Sequence, residues 1–155
     1  MSTRLQSIID ERGPIRKIGV VGMGYVGVPA AALFADAPEF ESVLGFQRNS
    51  ATSGYKIAML NRGESPLKGE EPGLEDLLGK VVSAGKFRCT SDFSEVAECD
   101  AVTLAIQTPF ADPKDLIPDF SALNKGLRNV GRHITEGTLV VLESTVTPGT
   151  TAGMA

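Results

Sequence analysis

Short apolar runs alternate along the chain with longer segments in which apolar residues recur at helical spacing. The apolar runs predict five strands, at Lys17 to Val21, Ser42 to Phe46, Phe87 to Cys89, Ala101 to Ile106 and Leu139 to Leu142. The segments between them predict helices, at Thr3 to Glu11, Tyr25 to Ala35, Gly54 to Asn61, Leu74 to Ala84, Asp92 to Glu98 and Asp119 to Ile134. Such alternation predicts an α/β fold: a doubly wound parallel sheet with helices on both faces and strands in the order 3-2-1-4-5.

Three glycines, Gly22, Gly24 and Gly27, follow the first predicted strand with the spacing G-x-G-x-x-G and lead into a predicted helix. In this context Gly22 permits a tight turn, Gly24 leaves room for a pyrophosphate beside the backbone, and Gly27 allows close packing of helix on strand. The unpaired N–H groups of the first helical turn, at the positive end of the helix dipole, suit phosphate groups. The motif therefore predicts a Rossmann-like domain that binds a dinucleotide.

The end of the second predicted strand lacks the carboxylate that dinucleotide folds usually place there to bind the adenosine ribose. This chain has Gln47, Arg48 and Asn49 instead. Gln47 can bind a ribose hydroxyl as a neutral group, whereas Arg48 can pair with a 2′-phosphate, stack on adenine or stay a solvated surface residue. These residues leave NAD and NADP both open, and NAD is the cofactor that we expect.

Composition narrows the class of protein. The chain has 155 residues, 42% of them apolar, and a net charge of −4. This size supports a single dinucleotide-binding domain at residues 15–155, preceded by an N-terminal helical extension at residues 1–14. Negative charge disfavours nucleic acid as a partner. Because no apolar run reaches the roughly 18 residues of a membrane span and the amino terminus lacks a signal-peptide core, we expect a cytoplasmic protein that does not bind membranes.

The cysteines and the histidine give no sign of catalysis. Cys89 and Cys99 have neither a metal-binding spacing nor a disulfide framework, so we expect small buried thiols. His133, the single histidine, follows Arg132 late in a predicted helix and is expected to be a surface residue that favours the helix dipole.

Six further features follow one another along the chain: G-M-G-Y-V-G-V-P at Gly22 to Pro29, N-R-G-E-S-P at Asn61 to Pro66, E-P-G-L-E at Glu71 to Glu75, T-S-D-F at Thr90 to Phe93, Q-T-P-F at Gln107 to Phe110 and E-S-T-V-T-P-G-T-T at Glu143 to Thr151. Taken in this order, these six motifs resemble the N-terminal cofactor domain of the UDP-glucose/GDP-mannose dehydrogenases. Within the family, Phe110 and Glu143 are similar to the branch that oxidises UDP-N-acetylhexosamines, such as the UDP-N-acetylmannosamine dehydrogenases.

The resemblance implies an NAD-dependent oxidation of a sugar C6 alcohol to a carboxylate, as in polysaccharide biosynthesis. It also implies that the cysteine nucleophile and the substrate domains lie beyond this chain, so the chain is expected to be truncated and inactive alone. The full-length protein is expected to be a homo-oligomer that acts on a UDP-N-acetylhexosamine. UDP-glucose or GDP-mannose as the substrate, and a stand-alone NAD(P)-binding module without catalysis, are the alternatives.

The resemblance also assigns residues. Thr145 matches a threonine that positions a water in the reaction and is the expected catalytic residue of this chain, and Lys56 takes the place of a basic residue displaced by a short insertion. The alternative for the threonines is hydrogen bonding within their own loops. The predicted cofactor-binding residues are Gly22, Met23, Gly24, Tyr25, Val26, Gly27, Gln47, Arg48, Thr108 and Thr151, and no metal ligand is predicted.

Overall fold

A computed structural model of the chain describes residues 3–69, 71–112, 114 and 116–154. The helices are α1 (Thr3–Arg12), α2 (Gly27–Asp36), α3 (Tyr55–Asn61), α4 (Leu74–Ser83), α5 (Ser121–Gly131), α6 (Thr150–Met154) and a 3₁₀ helix (Phe93–Glu98). The strands are β1 (Lys17–Val21), β2 (Ser42–Phe46), β3 (Phe87–Thr90), β4 (Ala101–Leu104), β5 (Phe110–Asp112), β6 (Ile117–Pro118) and β7 (Leu139–Leu142).

The main sheet is parallel, with five strands in the order β3-β2-β1-β4-β7. This is the predicted order, because β7 is the fifth strand of the prediction. Strands β1 and β4 lie in the centre and are buried on both faces, which is why their sequences are apolar without alternation. The predicted doubly wound α/β fold is confirmed.

Helices cover both faces of the sheet and divide the core in two. On the first face, α2 and α4 pack on β1, β2 and β3, and the small side chains of Ala31, Ala32 and Ala35 let α2 lie close to the strands. On the second face, the 3₁₀ helix and α5 bury Val96, Leu123 and Val130 against β1, β2 and β4. Within the described part of the chain, no helix is long and apolar enough to cross a bilayer.

Helix α1 contacts the amino-terminal edge of the sheet through Arg12. The Arg12 guanidinium donates hydrogen bonds to the carbonyl oxygens of Cys99 at 2.9 Å and Glu136 at 2.7 Å. Asp100 lies 3.8 Å from the same guanidinium and accepts hydrogen bonds from the backbone N–H groups of Arg16 and Lys17. These contacts hold α1 at the end of the sheet opposite the glycine motif.

Three local predictions were wrong. The three prolines of residues 107–118 predict a loop, but Phe110 to Pro118 includes the antiparallel pair β5–β6, which a hydrogen bond from Asp119 N to Pro109 O closes at its base. Helix α5 ends at Gly131 and not at Ile134, because the N–H groups of residues 133 and 134 share the carbonyl of Val130 in a tight turn. His133 therefore lies just after the helix.

Asp92 and Glu95 have the D-x-x-E spacing that predicts a capping box at the start of the 3₁₀ helix, but the structure forms only half of it. Asp92 accepts a hydrogen bond from Ser94 N at 2.9 Å, as an N-cap should. Glu95 does not reach back to Asp92; its carboxylate pairs with Arg88 and accepts a hydrogen bond from Thr90 Oγ1 at 2.8 Å. Two side chains of β3 therefore bind the carboxylate that a capping box would use.

The edge strand β3 is paired by a side chain from α3. Asn61 Oδ1 accepts a hydrogen bond from Cys89 N at 2.6 Å, and Asn61 Nδ2 donates one to Cys89 O at 2.9 Å. The amide thus pairs both backbone groups of Cys89, as a neighbouring strand would. This role explains why Asn61 stands at the end of α3.

We expect Asn61→Ala to lower the free energy of unfolding by about 2 kcal/mol, because it leaves two backbone groups of β3 without their partners. Urea denaturation of the variant and the parent chain measures the difference. Asn124→Ala, on the exposed side of α5, is the matched control and should change stability little. Equal effects of the two substitutions would contradict this interpretation.

Candidate functional site

The carboxyl ends of β1, β2, β4 and β7 meet at one edge of the sheet, and two adjoining clefts open there. The inner cleft, of about 290 Å³, lies between the ends of β1 and β2 and helix α5. The outer cleft, of about 390 Å³, lies between the start of α2 and the loops that follow β4 and β7. The two clefts share Gly24, Ala105, Ile106 and Gln107, so they form one continuous groove.

The glycine motif shapes the floor of this groove. Gly22 has φ +100°, and a Cβ there would lie 2.6 Å from the carbonyl oxygen of Ala105. A Cβ on Gly27 would overlap the carbonyl oxygen of Gly22, so α2 can start this close to β1 only with glycine at 27. A Cβ on Gly24 would meet no protein atom within 4 Å, because this residue faces the open groove.

The start of α2 presents unpaired donors to the groove. Among the described residues, the backbone N–H groups of Tyr25, Val26 and Gly27 have no protein acceptor, and no side chain caps the helix. The first turn carries no acidic residue, so nothing in it offsets the positive end of the helix dipole. Tyr25 and Val26 are 56% and 58% exposed and line the outer cleft. The geometry suits an anion.

Two side chains hydrogen-bond the backbone N–H and carbonyl groups of Met23. Its N–H donates to Gln47 Oε1 at 3.2 Å, and its carbonyl accepts a hydrogen bond from Lys56 Nζ at 2.9 Å. Gln47 Nε2 in turn donates to Ser53 Oγ at 3.0 Å. Gln47 and Lys56, assigned from the sequence to the ribose end, both line the inner cleft, and both also fix the glycine loop.

The inner cleft carries positive charge. Arg48 at the end of β2, Lys56 on α3 and Lys125 on α5 line it, and none of its described lining residues is acidic. Sequence reasoning missed the contribution of Phe93 and of one face of α5 (Ala122, Lys125, Gly126 and Asn129). The spacing of these four residues by three and four positions was the available signal, since it places them on one side of a helix.

The three threonines assigned from the sequence do not all lie at the groove. Thr108 and Thr145 both line the outer cleft, where Thr108 Oγ1 donates to the Thr145 carbonyl at 2.8 Å. Thr151 lies in α6 and is not among the residues that line either cleft. The structure therefore brings two of the three to the groove. Their roles toward a cofactor or a water stay predictions.

Ser144 joins the two loops of the outer cleft and was not singled out from the sequence. Its Oγ donates to the carbonyl of Ile106 at 2.7 Å and accepts a hydrogen bond from Ile106 N at 3.2 Å. This pairing extends the β4–β7 contact by one side chain beyond the end of the strands. The Ser of the E-S-T motif is thereby explained as a structural residue.

Residues 16–155 match the UDP-glucose/GDP-mannose dehydrogenase family, NAD binding domain. The chain belongs to this family. The cofactor of the family domain is NAD, and the family assignment made from the sequence motifs is confirmed.

Relatives of known name support the same assignment. The chain is 32% identical over 139 residues to UDP-N-acetyl-D-mannosamine dehydrogenase of Pyrococcus horikoshii, covering 90% of this chain and 31% of that protein. It is 35% identical over 136 residues to NDP-N-acetyl-D-galactosaminuronic acid dehydrogenase of Ralstonia nicotianae, covering 88% and 29%. The chain thus spans less than a third of the length of these relatives.

A crystal structure of NDP-N-acetyl-D-galactosaminuronic acid dehydrogenase from Methanosarcina mazei Go1 is similar to nearly the whole chain. The two share 74% identity with a TM-score of 0.96 over 99% of this chain and 32% of that chain. A ternary complex of GDP-mannose dehydrogenase from Pseudomonas aeruginosa has a TM-score of 0.75 at 33% identity over 88% of this chain and 30% of that chain. The NAD-binding domains of this family share the parallel sheet described above.

Both cysteines are buried, as predicted, and neither lines the groove. Burial raises the pKa of the Cys89 and Cys99 thiols to about 12. The fold therefore keeps both thiols protonated at alkaline pH values where the exposed thiols of the unfolded chain, with a pKa of about 8.5, are already ionised.

We expect iodoacetamide to leave both cysteines unmodified in the folded chain at pH 8 and to alkylate both after unfolding in urea. Intact-mass spectrometry measures the modification. Because the unfolded thiols release protons at lower pH than the folded ones, the free energy of unfolding should also fall as the pH rises above roughly 9. Rapid alkylation of the folded chain would contradict the assigned burial.

Proposed function

We propose that this chain binds NAD along the groove and forms the cofactor-binding part of a nucleotide-sugar 6-dehydrogenase that acts on a UDP-N-acetylhexosamine. The observation that carries the proposal is the row of unpaired N–H groups at Tyr25, Val26 and Gly27, which directly follows Gly24, a residue that lines both clefts. A diphosphate there leaves one nucleoside in each cleft. When bound, the nicotinamide supplies the hydride acceptor for oxidation of the sugar alcohol.

The residues present fit this cofactor. Gly24 leaves open the space that a diphosphate needs beside the backbone, and the helix dipole favours its charge. Phe93, Ala122 and Gly126 give the inner cleft an apolar surface for a base, while the polar residues that also line it suit a ribose. In the outer cleft, Thr108 and Thr145 offer polar groups beside Ile106, the arrangement that orients a ring against an apolar surface.

The residues of this chain bind and orient, and they leave the covalent chemistry to another part of the protein. Cys89 and Cys99 are buried away from the groove, so neither is placed to attack a substrate carbonyl. Thr145 is proposed to position a water from the rim of the outer cleft. The names of the relatives support an N-acetylhexosamine as the sugar, because they include UDP-N-acetyl-D-mannosamine and NDP-N-acetyl-D-galactosaminuronic acid dehydrogenases.

We expect Gly24→Ala to fold like the parent chain and to bind NAD at least about tenfold more weakly, because its Cβ takes the space next to the diphosphate. Calorimetric titration with NAD measures the affinity, and thermal unfolding without cofactor checks the fold. Gly131→Ala, at the end of α5 with no atom near its Cβ, is the matched control and should bind NAD normally. Unchanged affinity in Gly24→Ala, or a parent chain that does not bind NAD, would contradict the proposal.

A further inference from the structure

We infer that the inner cleft accepts a 2′-phosphate, so that this domain binds NADP(H) at least comparably to NAD(H). The inference rests on the proposed function, since it assumes that the adenosine half of the cofactor occupies the inner cleft. Three cationic side chains line this cleft, and its described lining residues include no Asp or Glu. An NAD-selective site would instead present a carboxylate to the ribose, which binds the two hydroxyls and repels a 2′-phosphate.

Gln47 occupies the position of that carboxylate, and its side-chain amide is hydrogen-bonded to other groups of the protein. Its Oε1 accepts the hydrogen bond from Met23 N, and its Nε2 donates to Ser53 Oγ. The side chain carries no charge that would repel a phosphate. Its amide is also tied to the protein at both polar atoms, so it is poorly placed to select for the unmodified ribose.

The loop after Gln47 folds back and adds hydroxyl groups to the cleft. The N–H groups of Ser53 and Gly54 donate to the carbonyl of Ser50, which closes a compact turn. This turn places Thr52 and Ser53 in the lining of the inner cleft. Ser53 Oγ lies 2.7 Å from Ser50 Oγ, so the hydroxyls form a connected polar edge beside the ribose position. Hydroxyl donors next to a cation are a common phosphate-binding set.

Arg48 is the residue best suited to pair with the phosphate. It is exposed at the end of β2, and its guanidinium has neither an ion pair nor a hydrogen bond among the described residues. Lys56 uses one donor on the Met23 carbonyl and keeps others for the cleft. Glu143 is the acidic side chain among the residues that line the outer cleft, on the far side of Gly24.

Calorimetric titrations of the 155-residue chain with NAD and NADP, and with ADP-ribose and its 2′-phosphorylated form, test the inference. We expect the Kd for NADP to be no more than about threefold above that for NAD, with a steeper dependence on salt because of the added charge. A Kd for NADP more than about threefold above that for NAD would overturn the inference and leave the proposed function intact. Failure to bind either cofactor would overturn the proposed function itself.

Two substitutions test whether Arg48 and Gln47 set the relative affinity for NADP and NAD. Arg48→Gln and Gln47→Glu should each raise the ratio of the NADP Kd to the NAD Kd at least about tenfold, the first by removing the cation and the second by adding a repelling charge. Arg128→Gln, on an exposed part of α5 outside both clefts, should leave the ratio unchanged. A ratio unaffected by Arg48→Gln, or shifted equally by Arg128→Gln, would overturn the assignment to this site. Thermal unfolding of each apo variant verifies that it is folded.

Discussion

The contact between Gly27 and the carbonyl of Gly22 is the constraint on which the site depends. Because position 27 has no side chain, the first turn of α2 lies directly on the end of β1. This closeness places the start of α2, where Tyr25 and Val26 have free N–H groups, beside the groove. The buried alanines of α2 serve the same end further along the helix, since small side chains let its axis stay close to the sheet.

Side-chain hydrogen bonds then stiffen the loops around that helix start. Gln47 and Lys56 hold Met23 from the side of β2 and α3, and Ser144 ties the end of β4 to the end of β7. Each of these bonds joins segments that are far apart in the chain. The loops are thus held before any ligand arrives, which lowers the entropic cost of binding.

Charge is distributed unevenly along the groove. Cations converge on the inner cleft from β2, α3 and α5, whereas the outer cleft is mostly neutral with Glu143 at its border. The net charge of the chain is −4, so this positive region is local and is not a property of the whole surface. A negatively charged protein can therefore bind the doubly charged diphosphate of a dinucleotide without favouring nucleic acid.

The amino-acid sequence by itself determined the five strands of the main sheet, their order and the place of the dinucleotide motif. Short apolar runs such as Ala101–Leu104, set between segments of helical spacing, indicate buried strands, and the glycine spacing has a mechanical reason that is local in the chain. The tertiary structure alone decided the partners of Gln47, the pairing of Asn61 with Cys89, the β5–β6 pair and the contribution of α5 to the inner cleft. Except for the β5–β6 pair, these features join residues that are remote in sequence or depend on which way a helix face points. Local sequence patterns do not encode the distances between such groups.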